Sequence, residues 1–131
     1  DALAAFDRTV GRLGLETVDL YLIHWPVPTR GHYVEAWKAL VRLKEEGRVR
    51  AIGTSNMTAA KLAVLLRAAR IRPAVNQVEM HPFLAQAPLL EWSRRHDIVV
   101  TAFSRACSGA RWAWGWRRWR RFNGGKSVWG R

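Results

Sequence analysis

The sequence predicts an α/β fold, a parallel sheet whose strands are connected by crossover helices. Short apolar runs typical of buried strands begin near residues 18, 49, 74 and 98, and helical patterns lie between them. The runs are 31, 25 and 24 residues apart, which is the length of a strand–helix unit in a parallel sheet. No GxGxxG motif follows any run, which disfavours the usual dinucleotide-binding doubly wound fold.

Four strands and four helices are predicted in alternation. The strands are VDLYLI at 18–23, VRAIGT at 49–54, AVNQVEM at 74–80 and DIVVTAF at 97–103. The helices are indicated by apolar stripes, which are Leu3, Phe6, Val10 and Leu13, then Val34, Trp37, Leu40 and Val41, then Leu62, Leu65, Leu66 and Ala69, then Leu89, Leu90 and Trp92. Asp1 and Thr58 are candidate N-caps, Gly14 and Gly47 are stop signals, and Pro88 suits a first helical turn.

The chain changes composition after residue 104. Its 131 residues carry a net charge of +12, of which residues 1–104 contribute +4 and residues 105–131 contribute +8. The first part contains 13 Leu, whereas the second contains no Leu, no Ile and no acidic residue. We therefore predict two parts, a folded body at 1–104 and a Trp/Arg-rich tail at 105–131. The single cysteine, Cys107, excludes an intrachain disulfide.

Three interpretations of the tail are open. It is a cationic segment in which Arg contacts phosphate and Trp stacks or inserts, which would suit nucleic acid or an anionic membrane. It is an insertion that folds on the body. Or it is not a selected sequence, because a frameshift or an unspliced intron in a GC-rich gene yields Trp, Arg, Gly and Ala, which fill 20 of its 27 positions. We favour the third, and expect a non-native or disordered tail.

Polar side chains follow each predicted strand at its carboxyl end. They are His24 after the first strand, Ser55 and Asn56 after the second, Gln77, Glu79 and His81 on the third, and Ser104 after the fourth. Any one of them is explained by an ordinary strand end or helix cap. Four successive strands that deliver such groups to one edge of a parallel sheet favour a site there.

The residue types at this edge suit a nicotinamide ring. A carboxamide has one acceptor oxygen and two donor hydrogens, which Ser55, Asn56 and Gln77 can match. Phe103 at the end of the fourth strand could stack on the ring, so that one ring face is exposed for hydride transfer. His24 would then lie beside the carbonyl group that receives hydride and would orient its oxygen.

These residues carry a family resemblance. LGLETVDLYLIHWP, EAWKALVRLKEEGRVRAIGTSN, PAVNQVEMHPF and VVTAFS resemble successive segments of the aldo-keto reductases, over essentially all of residues 1–104. The resemblance implies a (β/α)8 TIM barrel, of which this chain holds a partial set, about strands 4 to 7 with the intervening helices. It also implies NADPH-dependent reduction of an aldehyde or ketone to an alcohol.

The resemblance assigns roles residue by residue. His24 matches the catalytic histidine, and Trp25 looks like a wall of the substrate pocket. The positions that bind the nicotinamide carboxamide match Ser55, Asn56 and Gln77. Phe103 stands where the family usually has a stacking Tyr, and Ser104 matches a residue near the cofactor phosphates. Met57 replaces the usual aromatic residue, and Glu79 and His81 look structural.

The resemblance also shows which catalytic groups the chain lacks. The family's proton-donating Tyr, with its Lys and Asp, comes from segments upstream of the region matching Asp1, and neither Tyr21 nor Tyr33 matches that donor. We therefore expect a fragment that folds only marginally or not at all by itself and that shows no turnover. The full-length protein is expected to be a cytoplasmic monomer acting on a small carbonyl substrate, with no metal, nucleic-acid or membrane partner.

Overall fold

A computed structural model describes residues 2–27, 31–81 and 83–103. It confirms the predicted alternation of helices and strands, and the ends of each strand lie within two residues of the predicted ones. The elements are α1 (Ala2–Leu13), β1 (Val18–Ile23), α2 (Tyr33–Glu45), β2 (Val49–Ser55), α3 (Ala59–Ala68), β3 (Val75–Glu79), α4 (Ala87–Arg95) and β4 (Val99–Phe103). Asp1, Ser104, Cys107 and the predicted tail at 105–131 lie outside the described residues.

The four strands form one parallel sheet in the order β1-β2-β3-β4. This confirms the prediction from the spacing of the apolar runs, because parallel neighbours need a crossover connection and each connection here contains a helix. In the described part of the chain β1 and β4 are the two sheet edges. None of the helices in that part is long and apolar enough to span a membrane.

The core lies between the sheet and the helices. Phe6 of α1 and Trp37 of α2 are fully buried in it, as their stripes predict, and Ile52 of β2 meets them from the sheet. Leu13 was predicted to share the buried stripe of α1 but is 59% exposed, because α1 is buried through Phe6 and Val10 and Leu13 lies in its last turn.

Two core residues were not predicted. Leu43 of α2 is fully buried, although it adjoins the charged stretch at 44–46. Met57 is also buried, at 1% exposure, in the turn between β2 and α3. Its thioether fills the core at the position where the family resemblance leads one to expect an aromatic ring. A flexible side chain suits such an irregular gap.

The helix boundaries follow local chemistry. Gly14 and Gly47 take positive φ angles of 64° and 73° directly after α1 and α2, which confirms the predicted stops. Thr58 caps α3 by accepting a hydrogen bond from the backbone N–H of Lys61 at 3.4 Å. The residue before α4, Gln86, is left-handed at φ 51° and anchors its side chain on the carbonyl oxygen of Glu79.

The opposite face of the sheet is much less covered. Because side chains alternate along a strand, Tyr21 and Ile23 pack toward the helices while Leu20 and Leu22 of β1 point the other way. Leu20 is 41% exposed. On this second face the backbone of β2 at Gly53 lies close to the side chain of Val75 on β3. A Cβ added at Gly53 would stand 2.6 Å from Val75 Cγ1.

Candidate functional site

Three of the predicted site residues, Ser55, Gln77 and Phe103, lie on the second, less covered face of the sheet, near the carboxyl ends of the strands. Strand register places Ser55 directly beside Gln77, and Gln77 beside Thr101. One step further toward the carboxyl edge, Glu79 pairs with Phe103. Ser55, Gln77 and Thr101 therefore form a hydrogen-bonding row across three strands, although Ser55 and Thr101 are more than forty positions apart in the sequence.

Ser55 joins β2 to β3 through its side chain. Its hydroxyl donates to the carbonyl oxygen of Gln77 at 2.8 Å, and its oxygen accepts from Asn56 Nδ2 at 3.2 Å. The residue is only 1% exposed. Since its single proton is committed to a backbone acceptor, Ser55 can offer a ligand an acceptor oxygen but no donor while this hydrogen bond holds.

Asn56 forms the turn that leaves β2. Its φ of 59° is in the left-handed region, which Asn tolerates better than most residues with a Cβ. Its backbone N–H continues the sheet by donating to the carbonyl oxygen of Gln77 at 2.9 Å. Its side-chain Nδ2 donates to the carbonyl oxygen of His24 at 3.1 Å as well as to Ser55. No residue that the structure describes donates to Asn56 Oδ1.

The side chain of Gln77 makes no hydrogen bond to any residue within the described ranges, although it is partly buried. Its carboxamide thus keeps two donor hydrogens and an acceptor oxygen. Together, Gln77 and the Oδ1 atom of Asn56 provide both donors and an acceptor at one edge. This is the complement that a ligand carboxamide requires, so the residues fit the nicotinamide end of the implied cofactor.

His24 and Trp25 follow β1 directly. Both are exposed, and their rings lie edge to face with centroids 6.2 Å apart and an interplanar angle of 61°. Trp25 is 58% exposed, which is unusual for so large an apolar ring and is consistent with a surface that meets a ligand. The His24 backbone is held by Asn56, so the two candidate groups are brought together.

Phe103 ends β4 and is 37% exposed. Its carbonyl oxygen accepts a hydrogen bond from the backbone N–H of Met80 at 3.3 Å, which ties the end of β4 to the end of β3. The ring belongs to the same face as Gln77, one register step away. The next predicted cofactor residue, Ser104, lies outside the described part of the chain.

Neither tyrosine is placed to serve this edge as a proton donor. The ring of Tyr21 packs edge to face on Phe6, with centroids 5.1 Å apart, and therefore lies on the helix side of the sheet. Tyr33 begins α2 and packs against the core. This agrees with the interpretation that the phenol of the family mechanism is not supplied by these two residues.

Sequence reasoning missed Asn76 and Thr54. The two side chains are fully buried on the helix side of β3 and β2, and Thr54 Oγ1 donates to Asn76 Oδ1 at 3.0 Å. Asn76 also binds the backbone of Met57. The available signal was a second carboxamide beside Gln77 at a strand position where the pattern calls for an apolar residue.

A cavity of about 610 Å³ lies on the helix side of the same edge, between the first turns of α3 and α4. Trp25 and Asn56 line it together with apolar groups such as Met57 and Leu84, whereas Ser55 and Gln77 do not. The cavity therefore shares Asn56 with the candidate carboxamide site but lies on the opposite face of the sheet from Ser55 and Gln77. The described residues contain no cluster of His, Cys, Asp or Glu that could hold a metal ion.

Comparison with known proteins adds a family-level match. The model of the aldo/keto reductase family matches residues 1–114. Among curated proteins, the chain is 50% identical over 107 residues to the 9,11-endoperoxide prostaglandin H2 reductase of Trypanosoma cruzi, with 82% of this chain and 37% of that protein covered. It is 48% identical over 103 residues to the morphine 6-dehydrogenase of Pseudomonas putida, covering 79% and 35% of the two chains.

Solved structures give the same match. A variant of Gox0644 in complex with NADPH superimposes with a TM-score of 0.77 at 37% identity, covering 94% of this chain and 46% of the other. An aldo-keto reductase of Bombyx mori in complex with NADP gives a TM-score of 0.73 at 31% identity, covering 86% and 40%. The chain thus spans less than half the length of the relatives that it matches.

Proposed function

The chain belongs to the aldo/keto reductase family, and from this premise we propose that it contributes the nicotinamide end of the active site of an NADPH-dependent carbonyl reductase. Its four strands correspond to four of the eight in a (β/α)8 barrel, whose active site lies at the carboxyl edge of the strands. The neighbours determined with NADPH or NADP support this choice of cofactor.

One observation carries the proposal. At the carboxyl edge, Asn56 Oδ1 and the whole side-chain amide of Gln77 have no hydrogen-bond partner in the described part of the chain. Because Asn56 and Gln77 are only partly buried, these atoms are accessible to a ligand, and a nicotinamide carboxamide would supply the matching donors and acceptor. Ser55 stays on the protein side of this arrangement, because its hydroxyl proton is used to join β2 and β3.

The remaining residues of this edge are proposed to orient the substrate and to bind other parts of the cofactor. Bound NADPH supplies a hydride to the carbonyl carbon of the substrate. His24 is held beside Asn56 and can hydrogen-bond the substrate oxygen as negative charge grows there. Trp25 forms an exposed apolar wall next to it, and Phe103 offers a ring for stacking. Ser104 is proposed to contact the cofactor phosphates, as the family resemblance implies.

The proposed substrate is a small carbonyl compound. Matched relatives bear names as different as prostaglandin H2 reductase, morphine 6-dehydrogenase and, at 43% identity in Yersinia pestis, methylglyoxal reductase. Such variety fits a barrel in which the rim binds one cofactor while loops select the substrate. We propose that the full-length protein is a cytoplasmic monomer.

The proposal is tested by titrating NADPH into the 131-residue chain and following backbone and side-chain amide resonances. We expect saturable shifts at Asn56 and Gln77, and binding weakened about tenfold in Asn56→Ala and Gln77→Ala, since each removes a hydrogen bond to the ligand. Thr17→Ala is the control, because Thr17 is exposed and precedes β1, at the amino ends of the strands and away from the candidate site. Shifts confined to other residues, or equal affinity in all variants, would contradict the proposal.

For the tail at 105–131 we propose that it is not part of the selected barrel sequence. This rests on its charge of +8 and its lack of Leu, Ile and acidic residues. Resequencing the gene and translating every frame beyond Ser104 tests it, and a barrel-like continuation in another frame is expected. If no frame continues the barrel and the chain binds DNA or anionic vesicles in a salt-dependent way that truncation after Ser104 abolishes, the cationic-segment interpretation replaces it.

A further inference from the structure

Adjacent carboxamides on β3 point to opposite faces of the sheet. Gln77 belongs to the row at the candidate site, whereas Asn76 points into the layer between sheet and helices and is 0% exposed. A buried carboxamide is retained at little cost only when its donors and acceptor are paired. The partners of Asn76 therefore indicate what its side chain does.

The hydrogen bonds of the Asn76 side chain within the described residues all go to the segment around the candidate site. Its Oδ1 accepts from Thr54 Oγ1 at 3.0 Å and from the backbone N–H of Met57 at 3.4 Å. Its Nδ2 donates to the carbonyl oxygen of Met57 at 2.9 Å. The Asn76 side chain thus pairs with both the backbone N–H and the carbonyl oxygen of Met57, as a neighbouring strand would. It also binds the side chain of Thr54, three residues before Met57.

The residues enclosed by these contacts are Ser55 and Asn56. Thr54 fixes the start of this segment through its strand register with Asn76, and Met57 fixes its end. Between them Asn56 takes the left-handed φ of 59°, a conformation that the local sequence alone disfavours by about 1 kcal/mol. The contacts to Met57 oppose relaxation of this turn toward an extended or helical path.

We propose that Asn76 is a positioning residue for Asn56 of the proposed nicotinamide site, and that it acts through the backbone of Met57. This inference rests on the proposed function. Only Asn combines an acceptor and a donor at this length. Asp keeps the acceptor but loses the donor to Met57, and Leu keeps the approximate volume but loses both. If the turn relaxes, Asn56 Nδ2 leaves the carbonyl oxygen of His24 and its Oδ1 changes direction.

The test uses the 131-residue chain with two independent measurements. The first is amide hydrogen exchange at Asn56 and Met57, which reports the turn without any cofactor. The second is the NADPH dissociation constant of the folded fraction. For Asn76→Leu we expect faster exchange at both amides and affinity lowered about tenfold. Asn76→Asp is expected to show the same direction of change.

Milder variants guard against simple loss of folding. Thr54→Val removes the hydroxyl that donates to Asn76 with little change of shape, and should show faster exchange and weaker binding. Thr54→Ser keeps this hydroxyl, so its amide exchange and NADPH affinity should equal those of the unsubstituted chain. Ile52→Val, a core change on the same strand and face, lowers stability without touching Met57 and should leave the affinity of the folded fraction unchanged.

The outcomes separate the two proposals. If the unsubstituted chain shows no saturable NADPH binding, the proposed function is overturned, and amide exchange alone then decides whether Asn76 holds the turn. If the unsubstituted chain binds and the Asn76 and Thr54→Val variants bind equally well, the positioning role is overturned. Equal loss in Ile52→Val, at matched stability, would also overturn it, because the effect would then be one of general destabilisation.

Discussion

The side-chain amide of Asn56 donates a hydrogen bond of 3.1 Å to the carbonyl oxygen of His24. This contact ties the loop after β1 to the turn after β2. The side chain that is proposed to offer an acceptor to the nicotinamide therefore also holds the backbone of the residue proposed to orient the substrate. Because the contact uses a backbone atom of His24, its imidazole stays available for the substrate.

Two substitutions at Asn56 should separate its backbone role from its side-chain role. Asn56→Gly accepts the φ of 59° without strain, whereas Asn56→Ala does not, so we expect the Ala variant to be less stable than the Gly variant by about 1 kcal/mol. Both lose the carboxamide, and NADPH affinity should fall in both. Urea unfolding and NADPH titration measure the two effects. Equal stability of the variants would contradict the role assigned to the left-handed turn.

Gly53→Ala should destabilise the sheet by about 1–3 kcal/mol. The added Cβ would stand 2.6 Å from Val75 Cγ1, 2.7 Å from Leu22 Cδ2 and 2.7 Å from the backbone oxygen of Val75, and the backbone cannot move aside cheaply. Gly11→Ala is the matched control, because it lies within α1 with nothing within 4 Å, and it should raise stability by about 0.5–1 kcal/mol. Urea unfolding midpoints compare the two.

The ion pairs of Glu91 should produce an acid-dependent loss of stability. Hydrogen bonds from Arg94 first, and then from Arg95, hold the pKa of the Glu91 carboxyl below its ordinary value. A carboxyl whose pKa is lowered by folding stabilises the folded state above its unfolded pKa, and the contribution is lost as pH falls through the lowered value. Because these groups are exposed, the effect is small and weakened by salt.

The measurement is the difference in urea midpoint between the unsubstituted chain and Glu91→Gln. It should favour the unsubstituted chain at neutral pH and shrink toward zero in acid. Glu16→Gln, an exposed change at a residue with no ion pair to the described part of the chain, serves as control. A difference that stays constant from neutral to acidic pH would exclude the ion pairs as its source.

The 131-residue chain should bind NADPH without oxidising it in the presence of an aldehyde. The described phenols of Tyr21 and Tyr33 pack into the core, so neither can protonate a substrate oxygen beside His24. Absorbance of the reduced nicotinamide, followed over time with aldehyde present, measures this. Sustained oxidation that His24→Ala abolishes would show that another proton donor serves the site.

The sequence by itself determined the order of elements and the edge at which the site lies. Apolar periodicity separated strands from helices, and the regular spacing of the strands required crossover helices, so the parallel order followed from chain geometry. Since parallel strands point the same way, polar residues that follow them meet at one edge. His24, Asn56 and Gln77 could therefore be grouped before any coordinates were known.

Only the tertiary structure decided which of these side chains hydrogen-bond within the protein and which stay available to a ligand. The sequence placed Ser55, Asn56 and Gln77 together as equal partners for a carboxamide, but hydrogen bonds across strands commit the Ser55 proton to the protein and leave Gln77 uncommitted. They also join Asn76 to the backbone N–H and carbonyl oxygen of Met57, which is the observation behind its proposed positioning role. Such assignments depend on donors and acceptors brought within about 3 Å by strand register, which one-dimensional spacing does not encode.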